Sequence, residues 1–345
     1  MNIEVFRALI GIFIAVVSIF CILIYIIIQK IIISDRTLIK CSTYKIVVCY
    51  GFVDIIQLSV YICNGIFALI GTTIDKWIEK FSGFQLSFCW YNINLLTVLL
   101  AMNRLALLYF GARAEFFFNP RMTSVLLFFT ISIPSVFSLI WLTPYATYGF
   151  DAKMLMWTYD SFDFMPSCDR IITLLTSTFS TICYVLLLIL VLKKSSSPGN
   201  KVHGGTRRRD TLLTVQVMIN GGYTVLVSIY FMFLRPYYVP YTIIYNAVDI
   251  LLCVFWNGKS PIMHLVFNRY IRIKFLDDIQ NRKIFSLALN ILLRLQQKMF
   301  SLKGQTSIAS SPLNQTLKGD YTDINPQLKQ TFVVSSKAIT NVRRY

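Results

Sequence analysis

The sequence predicts an all-α integral-membrane fold, a bundle of seven spanning helices with an amphipathic helix after the last. Three observations predict it. The 345 residues are 56% hydrophobic and only 14% charged, against about 45–50% apolar and about 25% charged in soluble globular chains. The apolar residues fall in blocks of twenty or more rather than in amphipathic stripes, and the basic residues gather on alternate connections between those blocks. This pattern argues against a water-soluble enzyme, a disordered chain or a fibre. Length alone suggests two domains. Blocks of membrane-spanning size point instead to one membrane domain over 1–276, a cytosolic amphipathic helical segment over 277–302, and a disordered cytosolic tail over 303–345.

A hydrocarbon core about 30 Å thick needs roughly 20 apolar residues in a helix. Seven stretches qualify: 8–28, 46–70, 84–109, 122–144, 171–192, 211–234 and 242–267. The first, from Ala8 to Ile28, is too long for a signal-peptide core and lacks a small-residue cleavage site, so it is expected to be retained. The third has a blurred start, where Trp77, Phe81 and Phe84 sit between loop and helix. Pro134 and Pro261 fall inside spans four and seven as kinks that neighbouring helices accommodate.

Charge sets the orientation. Lys and Arg number 26 in the connections after spans one, three, five and seven, against 6 in the opposite set. Without the long tail the ratio is still 13 to 6. Basic loops are retained in the cytosol, which puts the N-terminus outside and the tail inside. The net charge of +17 is thereby an orientation signal, and no nucleic-acid partner is expected. The sequon Asn314–Thr316 then lies in the cytosolic tail and stays unmodified.

The end of span three reads Leu100-Ala101-Met102-Asn103-Arg104-Leu105, placing an arginine where the helix meets the cytosol. Read alone, Arg104 is an ordinary positive-inside anchor. Four stretches then add up: Tyr44 to Leu58 with Asp54 inside, Trp90 through Arg104, Gln216 through Tyr230, and Phe267-Asn268-Arg269-Tyr270-Ile271-Arg272. In order and spacing the chain resembles the nematode serpentine chemoreceptors, class T most and class X next, over about Ile22 to Phe275. The resemblance implies a rhodopsin-like G-protein-coupled receptor bundle in the plasma membrane. It implies a small extracellular ligand and a heterotrimeric G protein as partners, with no cofactor, no metal and no enzyme activity. Asn103 and Arg104 then stand at the G-protein coupling face, Asn103 replacing the acid that usually precedes the arginine.

Two departures stand out. The connection Gly71 to Gly83 lacks the cysteine such receptors carry, and Cys89 lies only about 22 Å up the helix from Arg104, so a Cys89–Cys168 bridge requires the outer loop to dip into the bundle. The seventh span reads Asn257-Gly258-Lys259-Ser260-Pro261, with a lysine where related receptors are uncharged.

An ionisable group in a span costs at least about 2.5–3.5 kcal/mol on insertion scales and needs a partner or a purpose. Asp54 in span two and Lys259 in span seven reach one layer, which suggests an intramembrane ion pair at the site where other receptors hold sodium. The alternative has Lys259 snorkelling inward while Asp54 binds water and Asn257. Asp249 lies about 15 Å above Lys259, at a depth that suits an outward ligand cavity, with Tyr245 one turn above. Asn94, Tyr223 and Tyr230 complete the candidate ligand-binding set, and Trp90 and Tyr184 share their depth. The plain alternatives are an Asp249 capped by water or a tyrosine hydroxyl, and aromatic groups that merely pack. Opsins anchor retinal on a lysine about two turns above the helix proline; here Lys259 is two residues from Pro261, which excludes that chemistry.

On the cytosolic face, Lys193 to Asp210 carries Arg207, Arg208 and Arg209 beyond a Ser-Ser-Ser-Pro-Gly turn. These arginines are a headgroup-facing run or, in this fold, a second part of the G-protein surface. After span seven, Tyr270, Ile271, Lys274, Phe275 and Ile279 follow helical spacing, as a surface-lying amphipathic helix does. A second such stretch covers 284–302.

A transporter or a ligand-gated channel with seven spans is the competing class. The chain has no internal repeat and no matched pair of broken helices. Enzyme chemistry has little to work with: the two histidines are His203 and His264, far apart, and no Gly-x-Gly-Asp motif is present.

Overall fold

The computed structural model describes residues 2–160, 164–195 and 204–281. Helix α1 (Ile3–Ser34), short α2 (Arg36–Lys40), α3 (Ser42–Ile70), α4 (Lys76–Phe110) and α5 (Pro120–Ser138) come first. A two-stranded antiparallel hairpin follows, β1 (Thr147–Asp151) with β2 (Met156–Asp160). Then come α6 (Phe164–Ser195), α7 (Gly204–Ile229), a π-helical turn at Tyr230–Leu234, α8 (Arg235–Tyr238), α9 (Ile243–Phe267) and α10 (Arg269–Asn281). Among the described residues, seven helical segments are long and apolar enough to cross a bilayer. They coincide with the seven stretches expected and run past most of their ends, although the fourth stops at Leu142, two residues short. The 284–302 segment, the tail and Asn314 lie outside the described residues.

Two extensions have local causes. Asp75 caps α4 by accepting from Trp77 N at 2.6 Å, so the third span starts at Lys76, eight residues ahead of the apolar block. Span six does not stop at Leu234. It continues through the π turn into α8, where Pro236 lacks an N–H to donate, and Arg235 therefore sits in helix rather than loop.

The apolar core runs between α3, α4, α6, α7 and α9, around Ile46, Val53, Ile93, Leu96, Leu187 and Trp256. Helix α1 packs along α3 through glycines: a Cβ at Gly11 would lie 2.6 Å from Gly65 O, and one at Gly65 would lie 2.5 Å from Gly11 O. Small residues permit this approach of two backbones where lipid supplies no hydrophobic drive.

The bundle has two unlike ends. At one, the hairpin covers the helix mouths. Tyr148 and Tyr159 stack across its strands at 4.6 Å, Phe150 meets Trp157 at 5.4 Å, and buried Trp141 donates to Ser87 Oγ at 2.8 Å. Leu155 turns the hairpin in a left-handed conformation (φ 55°), a strain held by its complete burial against the α1–α3–α9 core. The sequence reading did not foresee this hairpin. At the other end, about 31 Å along α4 from Gly83, stand Arg104 and α10. Helix α10 is the expected amphipathic helix: Ile271 is fully buried against Ile28, Ile32 and Tyr44. Its polar side bonds the start of α2, with Asp35 accepting from Tyr270 Oη and from Lys274 Nζ (2.9 Å).

Candidate functional site

Beneath the hairpin lies a cavity of about 640 Å³, within the range of small-molecule sites. Gln57 and Tyr61 of α3, Trp90 and Tyr91 of α4, Asp169 of α6, Phe231 and Arg235, and Asn246 and Asp249 of α9 form its walls, with Trp157 and Tyr159 of the hairpin above. Trp90 forms the floor, edge-on to Trp256 at 5.2 Å and to Phe231 at 6.3 Å.

Two carboxylates face this space in different company. Asp249 is ion-paired to Arg235 Nε and accepts from Tyr230 Oη at 2.7 Å. Arg235 also donates to Val239 O (2.8 Å) and to Asn246 Oδ1, and Asn246 donates to Met154 O at 2.7 Å. This cluster latches α8, α9 and the hairpin together. Asp169 accepts from Tyr91 Oη and, on its other oxygen, from Tyr159 Oη at 3.2 Å. Burial pushes the phenol of Tyr148 in the hairpin well above its ordinary range.

The structure brings part of the expected ligand set together. Asp249 lines the cavity and Tyr230 stands behind it. Tyr245 does not line it; on the outer face of α9, it is 47% exposed. Asn94 is buried beneath the floor, accepting from Ser228 Oγ (3.1 Å) and donating to Trp90 O (2.9 Å), which ties α4 to α7. Tyr223 is likewise off the wall, its ring 4.9 Å from Lys259 Nζ. These three lie off the cavity wall. Asp169, Arg235 and Asn246 were missed. The sequence places Asp169 and Arg235 next to the ends of spans, where a charge is ordinary, although Asn246 and Asp249 at i, i+3 mark one polar face of α9.

The expected Asp54–Lys259 ion pair does not form. Asp54 accepts from Tyr25 Oη, which also donates to Asn257 O (2.9 Å). Lys259 Nζ instead donates to Trp256 O at 2.7 Å, on its own helix, where the ring of Tyr223 faces it. A backbone carbonyl three residues back and an aromatic face satisfy the ammonium without drawing it across to α3. The same placement keeps the amine off the cavity wall, so no lysine is offered to a retinal-like aldehyde there. Cys89 and Cys168 are free thiols, with Cys89 bonded to Val53 O.

Below the tryptophan pair the bundle closes. Trp256 Nε1 donates to Thr224 Oγ1 (3.0 Å), which meets Tyr50 Oη at 3.3 Å. Further down, Arg104, Gln216, Asn220, Ser260 and His264 surround only about 30 Å³. Asn103 is fully buried, donating to Ser42 Oγ (2.9 Å) and accepting from Thr43 Oγ1 (2.7 Å), so it braces α4 to α3. Arg207, Arg208 and Arg209 lie in the first turns of α7; their side chains are outside the described residues.

Seven spans around a cavity at one end and a closed polar cluster at the other make this chain a seven-transmembrane receptor by fold. It is similar to squid rhodopsin, whose crystal structure matches with a TM-score of 0.64 at 13% identity, over 79% of this chain and 84% of that one. The family described as serpentine type 7TM GPCR chemoreceptor Srt matches residues 1–286, and the chain belongs to that family. No curated protein matches the chain. It is thus a multi-pass integral membrane protein of receptor type.

Proposed function

We propose that this protein is a chemosensory receptor of the plasma membrane that binds a small extracellular ligand beneath the hairpin and activates a heterotrimeric G protein at the Arg104 end. The 26-to-6 bias of basic residues supports an outside N-terminus, with the hairpin end outward and α10 in the cytosol. The observation that carries the reading is the contrast of about 640 Å³ at one end with about 30 Å³ at the other, joined through Trp90 and Trp256. A ligand that stabilises a state with an opened Arg104 end supplies the coupling through its differential affinity. Asn103 and Arg104, with Arg207, Arg208 and Arg209 on α7, form the coupling face in this reading.

The test is nucleotide exchange on a G protein reconstituted with the receptor. Ligand-dependent exchange that is lost in Arg104→Ala, with ligand binding retained, is the expected result. Ligand-gated ion flux without exchange would move the protein to the channel class.

A further inference from the structure

Resting on the receptor reading, we infer that the ligand is a small organic cation whose charged nitrogen docks at Asp169, beside the hydroxyl ends of Tyr91 and Tyr159. The argument is one of charge and company. Asp249 is already neutralised by Arg235 and bonded by Tyr230, so its charge is spent within the protein. Asp169 is 5% exposed and carries two phenol hydrogen bonds, and among the described residues no Lys, Arg or His lies within ion-pair distance. Two phenol hydrogen bonds supply no compensating cation. A buried carboxylate without a cation is costly, and a cation that enters beside it recovers that cost on binding.

Arg170, the next residue, also borders the cavity but is otherwise engaged. Its Nη1 donates to Tyr237 Oη at 3.3 Å and its guanidinium stands 5.8 Å over that ring. Successive side chains on a helix point about 100° apart, so Arg170 does not turn onto its neighbour. Tyr91 and Tyr159 stand at Asp169 and further aromatic rings line the same cavity, a lining that favours a desolvated ammonium over an anion. Hydroxyls and amides alone would suit a neutral ligand equally. A buried carboxylate bonded by phenols and by no cation discriminates for positive charge.

Three probes of one size separate the possibilities: phenylethylammonium, 2-phenylethanol and 3-phenylpropanoate, each titrated against the purified full-length chain with the unfolding midpoint as readout. The ammonium probe is expected to raise the midpoint with at least about tenfold higher apparent affinity than the alcohol, equivalent to about 1.4 kcal/mol, and the carboxylate to do nothing. Asp169→Asn should erase the preference for the ammonium, and Tyr159→Phe should weaken it severalfold. Equal binding of alcohol and ammonium, tightest binding of the carboxylate at Arg170, or no effect of the ammonium overturns the inference. The comparison on the unaltered chain stands even if Asp169→Asn fails to fold. The two readings fail separately. Exchange stimulated only by the neutral or anionic probe sinks the cation and leaves the receptor, whereas cation binding that never alters exchange sinks the receptor reading.

Discussion

The hairpin end and the Arg104 end of this bundle are built from the same kinds of helix and differ in how polar groups are satisfied. At the hairpin end, charges face a large cavity: one ion pair latches three elements, and one carboxylate is held by phenols. At the Arg104 end, short amides and hydroxyls pair helix to helix: Asn103 with Ser42 and Thr43, Gln216 with His264 at 2.8 Å, Asn268 with Tyr44 at 2.8 Å. Amide and hydroxyl pairs need little room and seal. Charges that surround a void leave chemistry available to something that enters it. The contrast separates a half organised to receive from a half organised to stay shut until moved.

The sharpest way to break that contrast is at the latch. Arg235→Met leaves Asp249 buried without its cation, and removing one partner of a buried pair costs about 3–5 kcal/mol. Adding Asp249→Leu should restore most of the loss, because an apolar pair of similar volume is close to neutral there. Thermal unfolding in detergent reads both. A double variant no more stable than the single would mean that Arg235 acts through its bonds to Val239 and Asn246 rather than through charge.

A second test moves the roof alone. A Cβ at Gly83 would lie 2.0 Å from the backbone oxygen of Tyr148, so Gly83→Val must push β1 off α4. Overpacking of this kind costs about 1–3 kcal/mol. Hydrogen exchange should quicken across 147–160 and stay unchanged in α10. Equal quickening at both ends would deny that they are separate units. Asn103→Ala makes the opposite cut. It strips two bonds from the closed end and leaves Ser42 and Thr43 short of a partner, for about 1–2 kcal/mol of stability, with hydrogen exchange across 147–160 unchanged.

What could be read from the chain follows what physics makes local. Spans are set by bilayer thickness, and their number was legible from hydropathy, with limits off by up to eight residues where caps extend a helix. The amphipathic helix was legible too, because Ile271 and Phe275 repeat at four residues and α10 buries that face. Partnerships across the bundle were not. Depth alone put Asp54 and Lys259 in one layer, but rotation of each helix decides the contact, and Tyr25, a residue with no charge to attract notice, took the carboxylate. Depth likewise put Tyr245 beside Asp249, although Tyr245, in the first turn of α9, is exposed and off the cavity wall. The hairpin was hidden because its core is aromatic stacking between short strands, while an apolar count registers a polar loop. Of the cavity walls, Asp249 and Trp90 were legible in the sequence but Asp169 and Arg235 were not, because charges near span ends have a ready explanation as loop residues.

The smallest effect is expected where α10 meets α2, and its pH dependence follows from the groups involved. Hydrogen bonds from Thr37, then from Tyr270 and Lys274, hold the Asp35 carboxyl well below the usual carboxylate range. The Lys274 ammonium is pushed up by its bonds to Tyr270 and Asp35. A lowered carboxyl contributes docking stability above its unfolded value of about 3.9 and loses it as pH falls through the folded one. A raised ammonium contributes fully below about 10.4 and loses it as pH climbs through its folded value. The docking of α10 should therefore be flat from about pH 5 to 9 and fail first in strong acid. Lys30 and Asp278, paired at 3.1 Å in the open, add a screened contact that salt weakens. Asp35→Asn should raise hydrogen exchange over 269–275 severalfold while the hairpin and the ligand cavity stay as they are. If acidification from pH 8 to 5 frees α10, the hydrogen-bonded carboxylate is not what holds it. Its anchor would then be Ile271 in its apolar socket, with a group elsewhere in the closed end doing the titrating.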